Sequence, residues 1–377
     1  MPTFTARTLV TAIGTVEYPA ITVGPTGLIE DISSDASVRS TAILTPTFFD
    51  VHVHGAAGYD VMDAAPDGLQ RMRRFLASRG VSHFLPTTIT AAIDDTLHAI
   101  ERLADAIEAP ASTEGATPLG IHLEGPFLSH AKRGVHPEAL LQLPSIALFD
   151  RLQQAARGHV RLITLAPELP SACELLAHAT AQGVRVSLGH SNATWEEAQL
   201  GLRAGAASAT HAFNAMRTLD QREPGLLAVV LDTPDLFAEL ICDGIHVHPA
   251  LVRLWLQAKG NRAILITDGI SATGMPDGVY NLGALPVNVR NARCTLVDHP
   301  ETIAGSVLTM DRAVANLQAF TGTPLAHAVR CASSHPAQML GLEDTVASLR
   351  VGQPASFNQY TSDGRLEATY LHGALVG

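Results

Sequence analysis

The residues able to do chemistry in this 377-residue chain are few, and they lie at telling places. His52 and His54 alternate in DVHVH, Glu124 closes HLE, His190 and His211 each follow a short apolar run, and Asp268 follows another. Side chains two apart on a strand share a face, so His52 and His54 can point to one side together. Imidazoles and carboxylates converging from separate strands suit a divalent ion with one position left for water. Such an ion would turn water into hydroxide at neutral pH. Asp268 would take the proton of that water and pass it to a departing amine, a task that suits amide hydrolysis. Singly, each residue has a plainer reading. A histidine at a strand end is commonly a structural hydrogen-bonding group, and an Asp before Gly is commonly a turn former. The pair His246 and His248 shows the same alternation as His52 and His54. The joint pattern across separate strand ends carries the weight.

Those ends need a scaffold that gathers them. Apolar runs at 47–54, 81–88, 119–124, 160–166, 184–189, 208–213, 238–243 and 263–267 read as eight strands, and helical periodicity separates most of them. In one such segment, 194–204, Thr194 and Glu197 form a capping-box signature and Gly205 marks the stop. Alternating strands and helices predict a parallel sheet, and eight repeats predict an α/β (β/α)8 barrel of the TIM type. A doubly wound sheet is disfavoured, because no GxGxxG follows the first strand. In such a barrel the C-terminal strand ends form the functional mouth. The termini read differently. Residues 1–45 and 345–377 show short alternating segments with Gly and Pro turns, which predicts a small β-sandwich domain composed from both ends, with a barrel domain at 46–344 between them.

Composition narrows the partners. A net charge of −11 argues against duplex nucleic acid, which needs surplus Lys and Arg. No run of eighteen apolar residues and no basic leader with an apolar core occurs, so neither a membrane span nor a signal peptide is expected. Four scattered cysteines without CxxC spacing fit a reducing compartment, and a cytoplasmic location is expected.

Several longer motifs add to this. They are PTFFDVHVHG (46–55), HLEGPF (122–127), KRGVH (132–136), GHSNA (189–193), THAFNAM (210–216), REPG (222–225), DGIH (243–246), TDG (267–269) and AGS (304–306). In this order and spacing the sequence closely resembles the N-acetylglucosamine-6-phosphate deacetylase family of the amidohydrolase superfamily, over nearly its whole length. The resemblance implies a principal metal site of Glu124, His190 and His211, with Asp268 as base and acid and His136 polarising the acetyl carbonyl. It further implies that Asn214, the Ala215 backbone, His246 and Arg222 hold the sugar phosphate and hydroxyls, that Ile303, Ala304 and Gly305 line the sugar pocket, and that Val135 and His136 also belong to the substrate-binding residues. Arg222 matches an arginine that reaches the neighbouring subunit's site, which implies a homodimer. Its alternative is a surface ion pair with Glu223. His52 and His54 make a second ion chemically feasible, while His54 has a second reading as a substrate contact. Many two-metal superfamily members bridge their ions with a carboxylated lysine at strand four. Only Lys132 and Lys259 occur here, neither at that place, so Glu124 is the substitute. Zinc is the default ion, and Fe, Co, Mn or Ni also suit such donors. Two other readings are kept: a related substrate (the galactosamine epimer, or another N-acyl compound), and a barrel without catalysis used as a binding module.

Overall fold

The computed structural model describes residues 1–63, 65–109 and 114–376. Its centre is a parallel sheet of eight strands in sequence order. These are β1 (Phe48–Val53), β2 (Val81–Thr88), β3 (Ile121–Glu124), β4 (Val160–Leu165), β5 (Arg185–Leu188), β6 (Ser208–Ala209), β7 (Phe237–Ile241) and β8 (Ala263–Ile266). Neighbouring strands pair in parallel throughout, for example Leu123 opposite Ile163 and Leu240 opposite Leu265. The cylinder closes just past β8, where Val53 bridges Gly269 and the Asp268 N–H donates to the His52 carbonyl at 2.9 Å. The chain is therefore an α/β (β/α)8 barrel of the TIM type.

Each strand is followed by a helix that covers it. Burial on both faces explains why the strands read as near-continuous apolar runs rather than alternating ones. Trp195–Arg203 is one covering helix, and its Thr194–Glu197 capping box is formed in both directions. Strand β6 is shorter than its sequence suggests. The apolar run to Phe213 leaves the sheet after Ala209 because His211 and Phe213 take left-handed backbone, with φ of 31° and 78°. That bend turns the His211 ring into the barrel mouth.

Two further layers surround the barrel. A six-stranded sheet interleaves the ends of the chain, in the order Ala374–Leu375, Leu366–Leu371, Phe357–Tyr360, Ile43–Pro46, Thr8–Val10 and Thr15–Glu17. A three-stranded sheet of Thr3–Thr5, Pro19–Val23 and Ile29–Ser34 faces it across a separate apolar core around Leu9, Ile21, Leu44 and Phe357. The Asn358 amide ties this unit to the barrel by donating to the Gly80 carbonyl at 3.0 Å. After β8, Gly278–Leu282, Leu285–Arg290 and Arg293–Leu296 form an antiparallel sheet that the sequence reading did not foresee. Its Leu282 packs with Ile89 and Ile270 above the barrel mouth.

Candidate active site

The C-terminal strand ends meet at Glu124, the last residue of β3. Its Oε1 lies 3.2 Å from His190 Nε2, 3.1 Å from His211 Nε2 and 3.5 Å from His52 Nε2. Its Oε2 lies 3.3 Å from His54 Nε2 and 3.4 Å from His136 Nε2. Asp268 completes the cluster, with Oδ1 3.4 Å from His52 Nε2 and 3.2 Å from His54 Nε2. All seven side chains are buried. The residues expected to carry the chemistry are thus neighbours in space, although more than 200 positions separate the first from the last.

Local backbone aims them. His190, His211 and Asp268 all sit at positive φ, 47°, 31° and 50°, a conformation costing a non-glycine residue on the order of 1–3 kcal/mol. Three such residues within one cluster mark a geometry held by its surroundings. The Asp268 carbonyl accepts from the Ser306 N–H at 2.8 Å, and the Ser306 hydroxyl donates to the Thr267 carbonyl at 2.5 Å. The Thr267 hydroxyl in turn donates to Asp50 at 2.6 Å.

Partners on the far ring nitrogens decide what each histidine offers. His54 Nδ1–H donates to the Thr87 carbonyl at 2.9 Å, and His190 Nδ1–H to the Lys132 carbonyl at 2.9 Å. His52 Nδ1–H donates to Glu239 at 3.3 Å. In each case the Nε2 atom is left to present its lone pair to the cluster, as a metal ligand must. Glu239, Thr87 and the Lys132 carbonyl escaped the sequence reading. No pattern marks a carboxylate inside the apolar run FAELI, and backbone partners leave no trace in side-chain spacing.

The electrostatics call for a cation. Burial disfavours a charged imidazole, yet Glu124 and Asp268 hold His52 well above its ordinary pKa and push His54 up to about 9. Burial alone would raise Asp268, but His52 and His54 bring its carboxyl down to about 2. A buried point that draws positive charge this strongly, ringed by imidazole lone pairs, fits a divalent metal. Two donor triads suit one: His52, His54 and Glu124, and Glu124, His190 and His211. They share the Glu124 carboxylate, in the place where a bridging group would stand.

Beneath the cluster lies a neutral polar floor. His122 Nε2 lies 2.8 Å from the Thr164 hydroxyl, which lies 2.7 Å from Thr210, and Thr210 donates to Ser187 at 2.7 Å. Burial and the nearby His52 keep His122 well below its ordinary pKa. His122, Thr164, Thr210 and Ser187 thus satisfy one another, while the buried Glu239 carboxylate is engaged separately by His52.

Above the cluster a chamber of about 330 Å³ opens, within the range of small-ligand sites. His54, Glu124, His136, His190, His211 and Asp268 form its deep end, and His52 lies behind them. Val135, Asn214, Ala215, His246, Ile303 and Gly305 border it, together with Ile89, Ala131, Lys132, Gly134, Ile241 and Leu282. His246 is oriented by Asp243, whose carboxylate accepts from Nδ1 at 2.6 Å. Two expected residues differ. Ala304 is buried behind the wall, its N–H donating to the Cys294 carbonyl, so its neighbours and not its side chain face the chamber. Arg222 lies outside this chamber, exposed, in a shallow surface cavity with Trp195 and Pro224. The surface ion pair weighed for it goes to another residue, since Glu223 pairs with Arg217 at 3.1 Å.

Barrel, mouth and buried carboxylate–imidazole cluster together define a class. The amidohydrolase family model matches residues 43–376, and the chain belongs to the amidohydrolase family, whose members are hydrolases that generally use a divalent metal ion. Within it, the chain is 37% identical over 373 residues to the N-acetylgalactosamine-6-phosphate deacetylase of Escherichia coli O157:H7, covering 98% of each chain. It is 36% identical over 363 residues to the N-acetylglucosamine-6-phosphate deacetylase of Vibrio furnissii, covering 94% of this chain and 90% of that one. A solved point mutant of the Mycobacterium smegmatis N-acetyl-D-glucosamine-6-phosphate deacetylase, in complex with N-acetyl-D-glucosamine 6-phosphate, superposes with a TM-score of 0.92. It is 32% identical, over 99% of this chain and 98% of that one. Among the described residues no helix is long and apolar enough to cross a membrane.

Proposed function

We propose that the chain hydrolyses the acetamide of N-acetylglucosamine 6-phosphate, releasing acetate and glucosamine 6-phosphate. The observation that carries this reading is the meeting of Glu124, His190, His211, Asp268 and His136 at one buried point beneath a sugar-sized chamber. Glu124, His190 and His211 would hold a divalent ion, zinc first among Zn, Fe, Co, Mn and Ni. His52 and His54 would hold a second through the shared carboxylate. Bound there, the ion brings the pKa of water from about 16 toward about 7 and so supplies hydroxide at neutral pH.

The rest falls to the chain's own residues. Asp268 accepts the proton of the attacking water and returns it to the amine nitrogen, which leaves as a protonated group. His136 donates a hydrogen bond to the acetyl oxygen as negative charge builds there. Asn214, the Ala215 backbone and His246 anchor the sugar phosphate, and Val135, Ile303 and Gly305 shape the sugar pocket. Arg222 lies outside its own chamber, so it would serve the phosphate of a neighbouring subunit in a homodimer. The terminal unit, residues 1–45 and 345–377, would act as a support for the barrel at 46–344, and the enzyme would work in the cytoplasm.

The galactosamine epimer is a second reading, favoured by the comparable identity to the Escherichia coli relative. One assay ranks the two: acetate release from each sugar phosphate, with metal-loaded and chelator-treated protein. Acetate from neither substrate would end the proposal. Arg222→Ala should raise KM for the phosphorylated sugar about ten- to a hundredfold and leave N-acetylglucosamine unchanged, the loss of one charge-assisted hydrogen bond. An equal effect on both sugars would remove its phosphate role.

A further inference from the structure

We infer that Thr90 is a positioning residue that fixes the His136 ring as a hydrogen-bond donor, in the tautomer opposite to that of His52, His54 and His190. Thr90 lies two residues past β2, a strand that supplies none of the proposed metal ligands. It is buried, and it meets His136 twice. Its backbone N–H donates to His136 Nδ1 at 3.3 Å, and its Oγ1 lies 2.9 Å from the same nitrogen.

A backbone N–H can only donate. His136 Nδ1 must therefore carry a lone pair, and the proton of the neutral ring must sit on Nε2. The Thr90 hydroxyl, facing the same lone pair, donates as well. His54 and His190 show the reverse arrangement, because their Nδ1–H groups face the carbonyls of Thr87 and Lys132. Backbone polarity thus sets His136 apart from His54 and His190. His54 and His190 present lone pairs at Nε2, while His136 presents an N–H there, 3.4 Å from Glu124 Oε2 at the edge of the chamber. An Nε2–H cannot ligate a cation, but it is the group needed where an acetyl oxygen gains charge.

Room for Thr90 is kept by Gly125, which follows the shared carboxylate at a φ of 87°. A Cβ there would collide with the Thr90 hydroxyl oxygen. HLEG and the loop after β2 are therefore fitted to each other.

The role of His136 rests on the deacetylase reading above, whereas its tautomer does not, and the experiment separates them. Zinc-loaded enzyme carrying 15N-histidine is compared as wild type, Thr90→Ser and Thr90→Val, with His136→Asn to assign the ring signals. In wild type and Thr90→Ser, His136 should show an unprotonated Nδ1 and a protonated Nε2. Thr90→Val keeps the backbone donor and loses the hydroxyl. Its His136 signal should show mixed tautomers, its kcat should fall about ten- to a hundredfold, and Thr90→Ser should restore the rate. KM and zinc content should stay within about twofold of wild type. A protonated Nδ1 in the wild type would overturn the inference even if the enzyme deacetylates well. So would a Thr90→Val enzyme with unchanged kcat, or one whose rate falls only as its zinc content falls. If neither sugar phosphate is hydrolysed, the deacetylase reading fails, and the ring signals still decide the tautomer.

Discussion

The two donor triads that share Glu124 are built differently. His52 lies on β1 and His54 directly follows it, and each is braced from inside the barrel, by Glu239 and by the Thr87 carbonyl. Asp268 stands within 3.4 Å of both. His190 and His211 instead sit on left-handed bends beyond the ends of β5 and β6. His190 is braced by a loop carbonyl, and the buried His211 Nδ1 has no hydrogen-bond partner among the described residues. One triad is thus held by the barrel wall and by charge, the other by loops bordering the chamber. The contrast teaches that one carboxylate can gather ligands fixed in two ways, by strand backbone with buried braces on one side and by strained bends held by their surroundings on the other.

Glu124 is where the contrast must vanish. Glu124→Gln removes the charge common to both triads, so bound metal, measured by elemental analysis after dialysis, should fall at least about tenfold and turnover should fall with it. Full metal content in that variant would show that the triads do not depend on a shared carboxylate. Asp268→Asn should act on one side of the comparison only. It keeps the shape of the site and lacks a proton acceptor, so metal content should hold while kcat drops about 10²- to 10⁴-fold. A near-wild-type rate would take Asp268 out of the chemistry.

The same division separates what could be read from the sequence and what could not. The barrel was legible because strands buried on both faces concentrate apolar residues into short runs such as VRLITL. The overrun to Phe213 arose because an apolar run does not reveal where backbone turns left-handed. The antiparallel sheet at 278–296 was missed, since short half-exposed strands between Gly283 and Asn291 turns resemble loops. In the site, His52, His54, Glu124, His190, His211 and Asp268 were legible because each ends an apolar run with a group of obvious chemistry. Glu239, Thr87 and Thr90 were not. Their contribution is a hydrogen bond to a ring nitrogen distant in sequence, and only the folded barrel brings the two together.

Glu239 offers the finest test of the contrast. Its carboxylate is fully buried on β7, with one oxygen on His52 Nδ1 and the other without a partner among the described residues. A carboxylate behind an imidazole raises the basicity of the ring's other nitrogen and locks its tautomer, and losing such a partner typically weakens metal affinity about ten- to a hundredfold. Glu239→Gln retains the size and an accepting oxygen but removes the charge, so the lower end of that range, about tenfold, is the expected effect. Because the brace touches only His52, the loss should fall on one metal site. In a chelator competition monitored by metal release, one of two steps should shift toward weaker binding while the other keeps its midpoint. Both steps moving together would mean that the triads are electrostatically one site, and neither moving would mean that Glu239 serves the barrel floor alone.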